Sequence, residues 1–272
     1  MERKLLGFFK LGKNRIMVAS VSKNSWRVVL AVFDAEGRPS FFDEQLFSLS
    51  DRDKFNDSLR AYAAKHNTTY IAVGLGYGFS VTALSSVSIL ADVETMKVMR
   101  TEPMILFPDD KITDDVNALV HHPESSNSSA RFKIRAAEIN QIAEICNVAG
   151  LHLVRIVSEQ AQMLQLAYAS GLSAAKDVRA LLITLPSSYM FLRVDHEGWH
   201  SILYDPSVDE STASAIATAI ADALPPGESG RLAYVDGGMA DFSNLIGDIP
   251  ETRKFDVMKQ TPHLAFHSTV LN

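Results

Sequence analysis

The chain writes one motif twice. Residues 16–30, IMVASVSKNSWRVVL, and residues 180–194, ALLITLPSSYMFLRV, each read as an apolar strand, a short polar turn and a second apolar strand. A turn with glycine follows each pair, Asp34-Ala35-Glu36-Gly37 and Asp195-His196-Glu197-Gly198. The unbroken apolar run from Val28 to Phe33 is the mark of a strand covered on both faces. A third signal, Ala233-Tyr234-Val235, runs into Asp236-Gly237-Gly238. Such hairpins need helices to cover them, and helical patterns do alternate with the strands, which gives an α/β chain.

The remaining pattern fills in this frame. Residues 41–49 suggest a further strand, and Ser50, with Asp53 three residues on, reads as a helix N-cap. Phe55, Leu59, Tyr62 and Ala63 then repeat at helical spacing, and residues 69–75 read as a strand. Gly74-Leu75-Gly76-Tyr77-Gly78 lacks the spacing of a dinucleotide fingerprint and reads as a flexible crossing into an insert. Within that insert, residues 88–90 suggest a strand, and Ile112, Val116, Leu119 and Val120 a helix. The stretch from His121 to Ser129 reads as a mobile polar loop, and its adjacent histidines have no third ligand spaced to join them on a metal.

The middle of the chain carries the clearest signals. Ile139, Ile142, Cys146 and Ala149 predict a helix closed by Gly150, residues 151–157 a strand, and residues 159–169 a second helix stopped by Gly171. An alanine-rich helix over 211–224 ends at Pro225-Pro226-Gly227, and strands are predicted at 231–235 and 255–258.

Charge and composition exclude several functions. The net charge of −6 comes without the dense Lys/Arg stripe that phosphate neutralisation needs, so no nucleic acid partner is expected. The single cysteine, Cys146, rules out an internal disulfide and a cysteine-based metal cluster, and its apolar helical setting predicts a buried inert thiol. No apolar run approaches the ~20 residues of a membrane-spanning helix, and the start, MERKLLGFFK, is interrupted at Lys10 and lacks a signal-peptide core. A cytoplasmic protein is expected. No Gly-x-Ser-x-Gly elbow points to an α/β hydrolase.

Residues 131–161, RFKIRAAEINQIAEICNVAGLHLVRIVSEQA, with the hairpin that follows and the later Gly237-Gly238, resemble the PilM proteins of type IV pilus assembly. They also resemble the cytoplasmic domains of the GspL proteins of type II secretion and, more distantly, the cell-division protein FtsA. A helix ending in Ala-Gly-Leu leads into a strand, then into a Glu-x-Ala helix just before the second hairpin. The motifs are short, and their order and spacing over residues 14–260 carry the resemblance.

The resemblance implies an actin-like (ribonuclease H-like) duplicated α/β fold of two lobes with an inserted subdomain. Residues 14–78 would begin the first lobe, 79–150 would form the insert and contribute to a partner groove, and 151–272 would complete the first lobe and build the second. It implies a scaffold that grips the cytoplasmic tail of an inner-membrane partner, PilN in pili, and so rests peripherally at that membrane. Self-association stays open, and so does a longer chain, since GspL-type proteins continue into a membrane span.

In this family each hairpin turn carries Asp-x-Gly to hold a magnesium nucleotide. Ser20, Val21 and Ser22 stand at the first such position, and Thr184, Leu185 and Pro186 at the second. Ser and Thr are neutral and weak substitutes for the Asp, and Pro186 has no N–H to offer a phosphate. With all four residues lost, ATP hydrolysis is not expected, and the chain reads as a pseudo-ATPase without catalytic or metal residues. Weak ATP/Mg binding stays open. Ser22, Lys23, Asn24, Ser25, Ser187 and Ser188 could donate to phosphates, and Gly237 and Gly238 could admit a base. The same residue types are ordinary turn formers. The alternative is an active actin-fold ATPase or a sugar-kinase-like enzyme. That enzyme would need a catalytic acid, and Glu159, Asp236 and Asp241 are candidates that position alone does not distinguish.

Overall fold

The computed structural model of the chain describes residues 14–76, 79–85, 116–121, 129–169, 177–185, 188–195, 198–205, 210–226, 230–235, 254–258, 266 and 269–270. The first repeated motif forms strands β1 (Arg15–Val21) and β2 (Ser25–Phe33), antiparallel from Arg15 opposite Val32 to Val21 opposite Trp26. Strand β3 (Pro39–Ser48) pairs on the outer side of β2. After helix α1 (Arg52–Lys65), β4 (Tyr70–Leu75) runs parallel to β1 on its other side. Strands β5 (Ser80–Ser85), β6 (Val116–His121) and β7 (Ser129–Ile134) make a separate antiparallel sheet in the order β5-β7-β6. Helix α2 (Ala136–Val148) then leads to β8 (His152–Ser158), which completes the first sheet in the order β3-β2-β1-β4-β8.

Helix α3 (Glu159–Ala169) crosses from this sheet to the next and touches β8, the insert strands β6 and β7, and β9 (Val178–Leu185). The second repeated motif forms β9 and β10 (Ser188–Asp195), with β11 (Gly198–Asp205) outside them. Helix α4 (Glu210–Ala223) is followed by β12 (Arg231–Val235) and β13 (Lys254–Met258), both parallel to the first strand of their unit. The order β11-β10-β9-β12-β13 repeats the first sheet strand for strand and sense for sense. The duplication read from the two hairpins is therefore a duplication of a whole five-stranded sheet.

Alternation along the strands sorts their side chains between two cores. Met17, Ala19 and Val21 of β1 and Ile71, Val73 and Leu75 of β4 pack against α1 and α2 through Phe55, Leu59, Ile142, Ile145 and Cys146. The opposite face, with Ile16, Val18 and Ala72, is covered by Phe266 and Val270 near the end of the chain. In the second unit Ala180, Leu182 and Phe191 pack on Ile216, Ile220 and Ala223 of α4. Helix α2, inside the stretch 79–150 expected as the insert, thus packs on the first sheet. Cys146 lies in that core with its thiol pushed up by burial to about 12, the inert cysteine expected from its helical setting.

Several expectations need correction. Residues 116–121 form a strand where a helix was expected, because Val116, Leu119 and Val120 in so short a run fit either period and pairing with β7 decides. His121 lies in β6 opposite Ser129 of β7, so both ends of the stretch expected as a polar loop are strand, and residues 122–128 lie outside the described residues. The α1 N-cap is Asp51, whose carboxylate accepts from Lys54 N at 3.2 Å, because the Ser50 hydroxyl is engaged by Ser48 Oγ at 3.0 Å. Strand β11 was not foreseen. It is an outer strand paired across a bulge beside Arg193 and Val194, so its apolar residues do not alternate cleanly. Ile112, residues 88–90 and Gly171 lie outside the described residues.

Leu59 of α1 is fully buried between both helices and the sheet. Replacing it with alanine should cost about 2–5 kcal/mol, read as a lower urea midpoint. Phe42, 53% exposed on the outer strand, should tolerate serine with little change.

Candidate functional site

The candidate site lies where the parallel strands β1, β4 and β8 end together, the edge at which open α/β sheets present ligand-binding groups. Ser20 of β1 pairs in register with Gly74 of β4, and Gly74 with Val157 of β8. By alternation Ser20 and Gly74 face away from the α1/α2 core, toward the end of the chain. Gly74 leaves a notch there. A Cβ on it would stand 2.7 Å from Glu159 Cγ and 2.8 Å from both Glu159 Oε1 and Thr269 Oγ1.

Glu159 opens α3 directly after β8. The Ser158 hydroxyl accepts from Ala161 N at 3.4 Å and donates to Gln160 Oε1 at 2.9 Å, which fixes the first turn and turns Glu159 inward. Only 1% of Glu159 is exposed, and neither carboxyl oxygen has a hydrogen-bond partner among the described residues. Burial pushes its pKa up to about 8, and the nearby Ser20 hydroxyl lowers it slightly without closing a hydrogen bond of good geometry. At neutral pH this carboxyl is therefore a neutral acid. Ser20 Oγ and Gln162 Oε1 are likewise buried and unpartnered.

The first hairpin turn is closed on itself. Ser22 N donates to Ser25 O at 2.9 Å, Ser22 Oγ donates to the same carbonyl at 3.1 Å and accepts from Ser25 N at 3.2 Å. The two hydroxyls also meet at 3.0 Å. Lys23 and Asn24 are exposed, and Asn24 O accepts from Leu49 N at 2.9 Å. At the second hairpin Ser188 pairs with Leu185 across the turn, while Ser187, Pro186, Gly237, Gly238, Asp236 and Asp241 lie outside the described residues.

A magnesium nucleotide finds little in the described part of this position. Ser20 is neutral and 3% exposed, the Ser22 and Ser25 hydroxyls bond one another, and Glu159 is protonated. No three His, Cys, Asp or Glu side chains among the described residues converge as metal ligands. Of the residues named for phosphate contact in this turn, Lys23 and Asn24 are the exposed ones. Sequence reasoning had named Glu159 among three candidate acids of the alternative enzyme, had read Gly74 as part of a flexible crossing into the insert, and had missed Thr269. The signal for Gly74 was a glycine inside a strand, which often marks close approach of another group.

No protein-family model matches the chain, and no curated protein sequence matches it. Among solved structures it is similar to the cytoplasmic domain of EpsL, an inner-membrane component of the Vibrio cholerae type II secretion system. That likeness has a TM-score of 0.55 at 9% identity and covers 95% of each chain. A Bacteroides thetaiotaomicron protein with an actin-like ATPase fold gives 0.54 at 8% identity over 96% of each chain. The PilM–PilN type IV pilus biogenesis complex gives 0.52 at 12% identity over 85% of this chain and 83% of that one. The fold is actin-like, as the sequence resemblance implied, and the two machines that resemblance named are those of two of these structures.

The notch makes a sharp forecast. Gly74→Ala should cost about 1–3 kcal/mol, because the new methyl meets a buried side chain with nowhere to go. Gly150→Ala has open space around it and should cost about 1–2 kcal/mol through its φ of +74° alone. Pairing Gly74→Ala with Glu159→Ala should return part of the first loss, whereas strict additivity in urea melts would show that Glu159 does not fill the notch.

Proposed function

We propose that this chain is a cytoplasmic actin-fold scaffold, a pseudo-ATPase, that binds the cytoplasmic tail of an inner-membrane partner of the PilN kind in a type IV pilus or type II secretion machine. One observation carries the loss of enzymatic function. At the end of β1, where the resembled family places an acidic residue for magnesium, stands a buried neutral hydroxyl turned onto a buried neutral carboxyl. A buried neutral hydroxyl is a weaker ligand for magnesium than the carboxylate it replaces. In the first turn the Ser22 and Ser25 hydroxyls bond one another, which leaves the exposed Lys23 and Asn24 as its remaining donors.

Support for the scaffold role is the likeness in fold to a secretion-system cytoplasmic domain and to the PilM of a pilus complex, over most of each chain. No helix among the described residues is long and apolar enough to cross a membrane, so attachment through a partner suits the reading. The three-stranded insert, which the reading makes part of the partner groove, lies beside α3 and against β11. Binding would be by groove or strand addition, in which main-chain hydrogen bonds supply affinity.

Titration with Mg-ATP at millimolar concentration should give no heat and no rise in melting temperature. A ligand at about 100 times its dissociation constant would add about 2.7 kcal/mol and be plain to see. Micromolar binding would replace the scaffold reading with that of a nucleotide switch or enzyme. A pull-down with a synthetic N-terminal tail of a PilN-like protein should retain the chain, and failure to retain it would remove the partner part of the proposal.

A further inference from the structure

We propose that the outer edge of β8 is a docking site for an extended acidic peptide segment of another protein, whose carboxylate pairs with Arg155 while an apolar side chain packs on Val154. Strand β8 ends the first sheet, and among the described residues no strand pairs on its outer side. The backbone groups on that side are a template for another chain. Its neighbour β4 is buried from Ile71 to Leu75, whereas Leu153, Ile156 and Val157 of β8 are half-buried and Val154 is 43% exposed. The opposite edge of the same sheet, β3, is guarded by the exposed acids Asp43 and Glu44. Strand β8 has no acid, lysine or proline among its residues. An apolar strand edge left so open is one that proteins ordinarily cover.

The chemistry of the cover is set by Arg155. In the pairing of β4 with β8, Ile71 stands opposite Leu153 and Ala72 opposite Arg155, so Val154 is an extra residue bulged out of the ladder. The bulge leaves Val154 exposed and brings Arg155 onto the Ala72 side of the sheet, where it is half-buried. Arg27, Arg38, Arg60 and Arg231 each meet a carboxylate. Arg155 has no hydrogen bond and no ion pair among the described residues, and burial lowers its pKa with no acid to raise it. A guanidinium kept partly from water without an anion is a cost to the fold, and a carboxylate arriving from outside removes that cost. The fork of donors takes a carboxylate on two parallel bonds.

An extended peptide fits this edge better than the other occupants. A free anion such as phosphate would use Arg155 and leave Val154 and the strand's backbone uncovered. A second copy of the chain, paired edge to edge about a two-fold axis, would bring the same bulge and the same cation to meet its own. An extended acidic segment supplies main-chain groups to the edge, a carboxylate to Arg155 and an apolar side chain to Val154. The edge belongs to the first sheet and not to the insert, so this docking stands apart from the partner groove and does not depend on it.

The test is fluorescence anisotropy of the full chain with a labelled short peptide that alternates valine and glutamate, and with its counterpart that carries lysine for glutamate. The acidic peptide should bind and the lysine peptide should not, and amides of β8 should exchange more slowly in the complex. Arg155→Gln should weaken binding of the acidic peptide about tenfold or more. The same variant should keep the wild-type urea midpoint or exceed it, because the cation it removes had no partner. The proposal is overturned if the acidic peptide fails to bind, if the lysine peptide binds as well, if Arg155→Gln binds as tightly as wild type, or if the β8 amides gain no protection. It is equally overturned if Arg155→Gln lowers the midpoint, since the cation would then have a partner within the fold. Protection of β8 by inorganic phosphate alone, equal to that by the peptide, would overturn it too, since a small anion would then be the ligand.

Discussion

Two-residue alternation in β1 and β4 is the constraint on which the rest of this structure depends. It sends Met17, Ala19 and Val21 to one side and Ile16, Val18 and Ser20 to the other, and the neighbouring strand does the same in register. One side becomes the main core under α1 and α2. The other is apolar until its last step, where Ser20 and Gly74 end the strands with a small polar group and an empty space. Nothing bulky could stand at these positions and still admit Glu159. A slip of one residue would bury Ser20 under the helices and expose the larger core, so the polar end of the sheet is fixed by the same register that fixes the core.

Duplication then places that end in a larger frame. Each unit has three antiparallel strands followed by two parallel ones, and each sheet has a helix, α1 or α4, packed on one face. Among the described residues only the first unit carries a three-stranded insert, and α3 touches the insert, its own sheet and β9 of the second. Glu159 is the first residue of that helix. Its carboxyl therefore sits where the helix that touches both sheets leaves the first one.

The parts legible in the sequence were those with a local cause. Both hairpins were marked by apolar runs around polar turns, α2 by its helical spacing and the left-handed Gly150, and α3 by a periodic run between β8 and the second hairpin. These signals sufficed for the fold class. What escaped depended on distant partners. Strand β6 needed β7 to choose between two periods, and β11 needed the bulge in its pairing with β10. The site was harder still, because Ser20, Gly74, Glu159 and Thr269 are far apart in the chain and ordinary one by one. The glycine could be seen, but the groups that crowd it come from the start of α3 and from near the chain end.

The neutral hydroxyl at Ser20 and the neutral carboxyl at Glu159 explain each other. A buried glutamate keeps its charge only beside a cation or several donors, and is otherwise driven to bind a proton. An acid in place of Ser20 would put a second carboxyl near the first, and two carboxylates so close can coexist only across a bound cation. With serine there, one proton satisfies the charge balance and the sheet end can close without an ion. The remaining cost is the unpartnered oxygens of Glu159, an expense of a kcal/mol or more for each buried acceptor that lacks a donor. A fold that kept this cost while giving up the charge has retained a carboxyl that stabilises nothing in its ionised form. The three groups around it, Ser20, Gly74 and Thr269, come from three separate segments and are small and uncharged, so this end of the sheet is closed by packing rather than by charge.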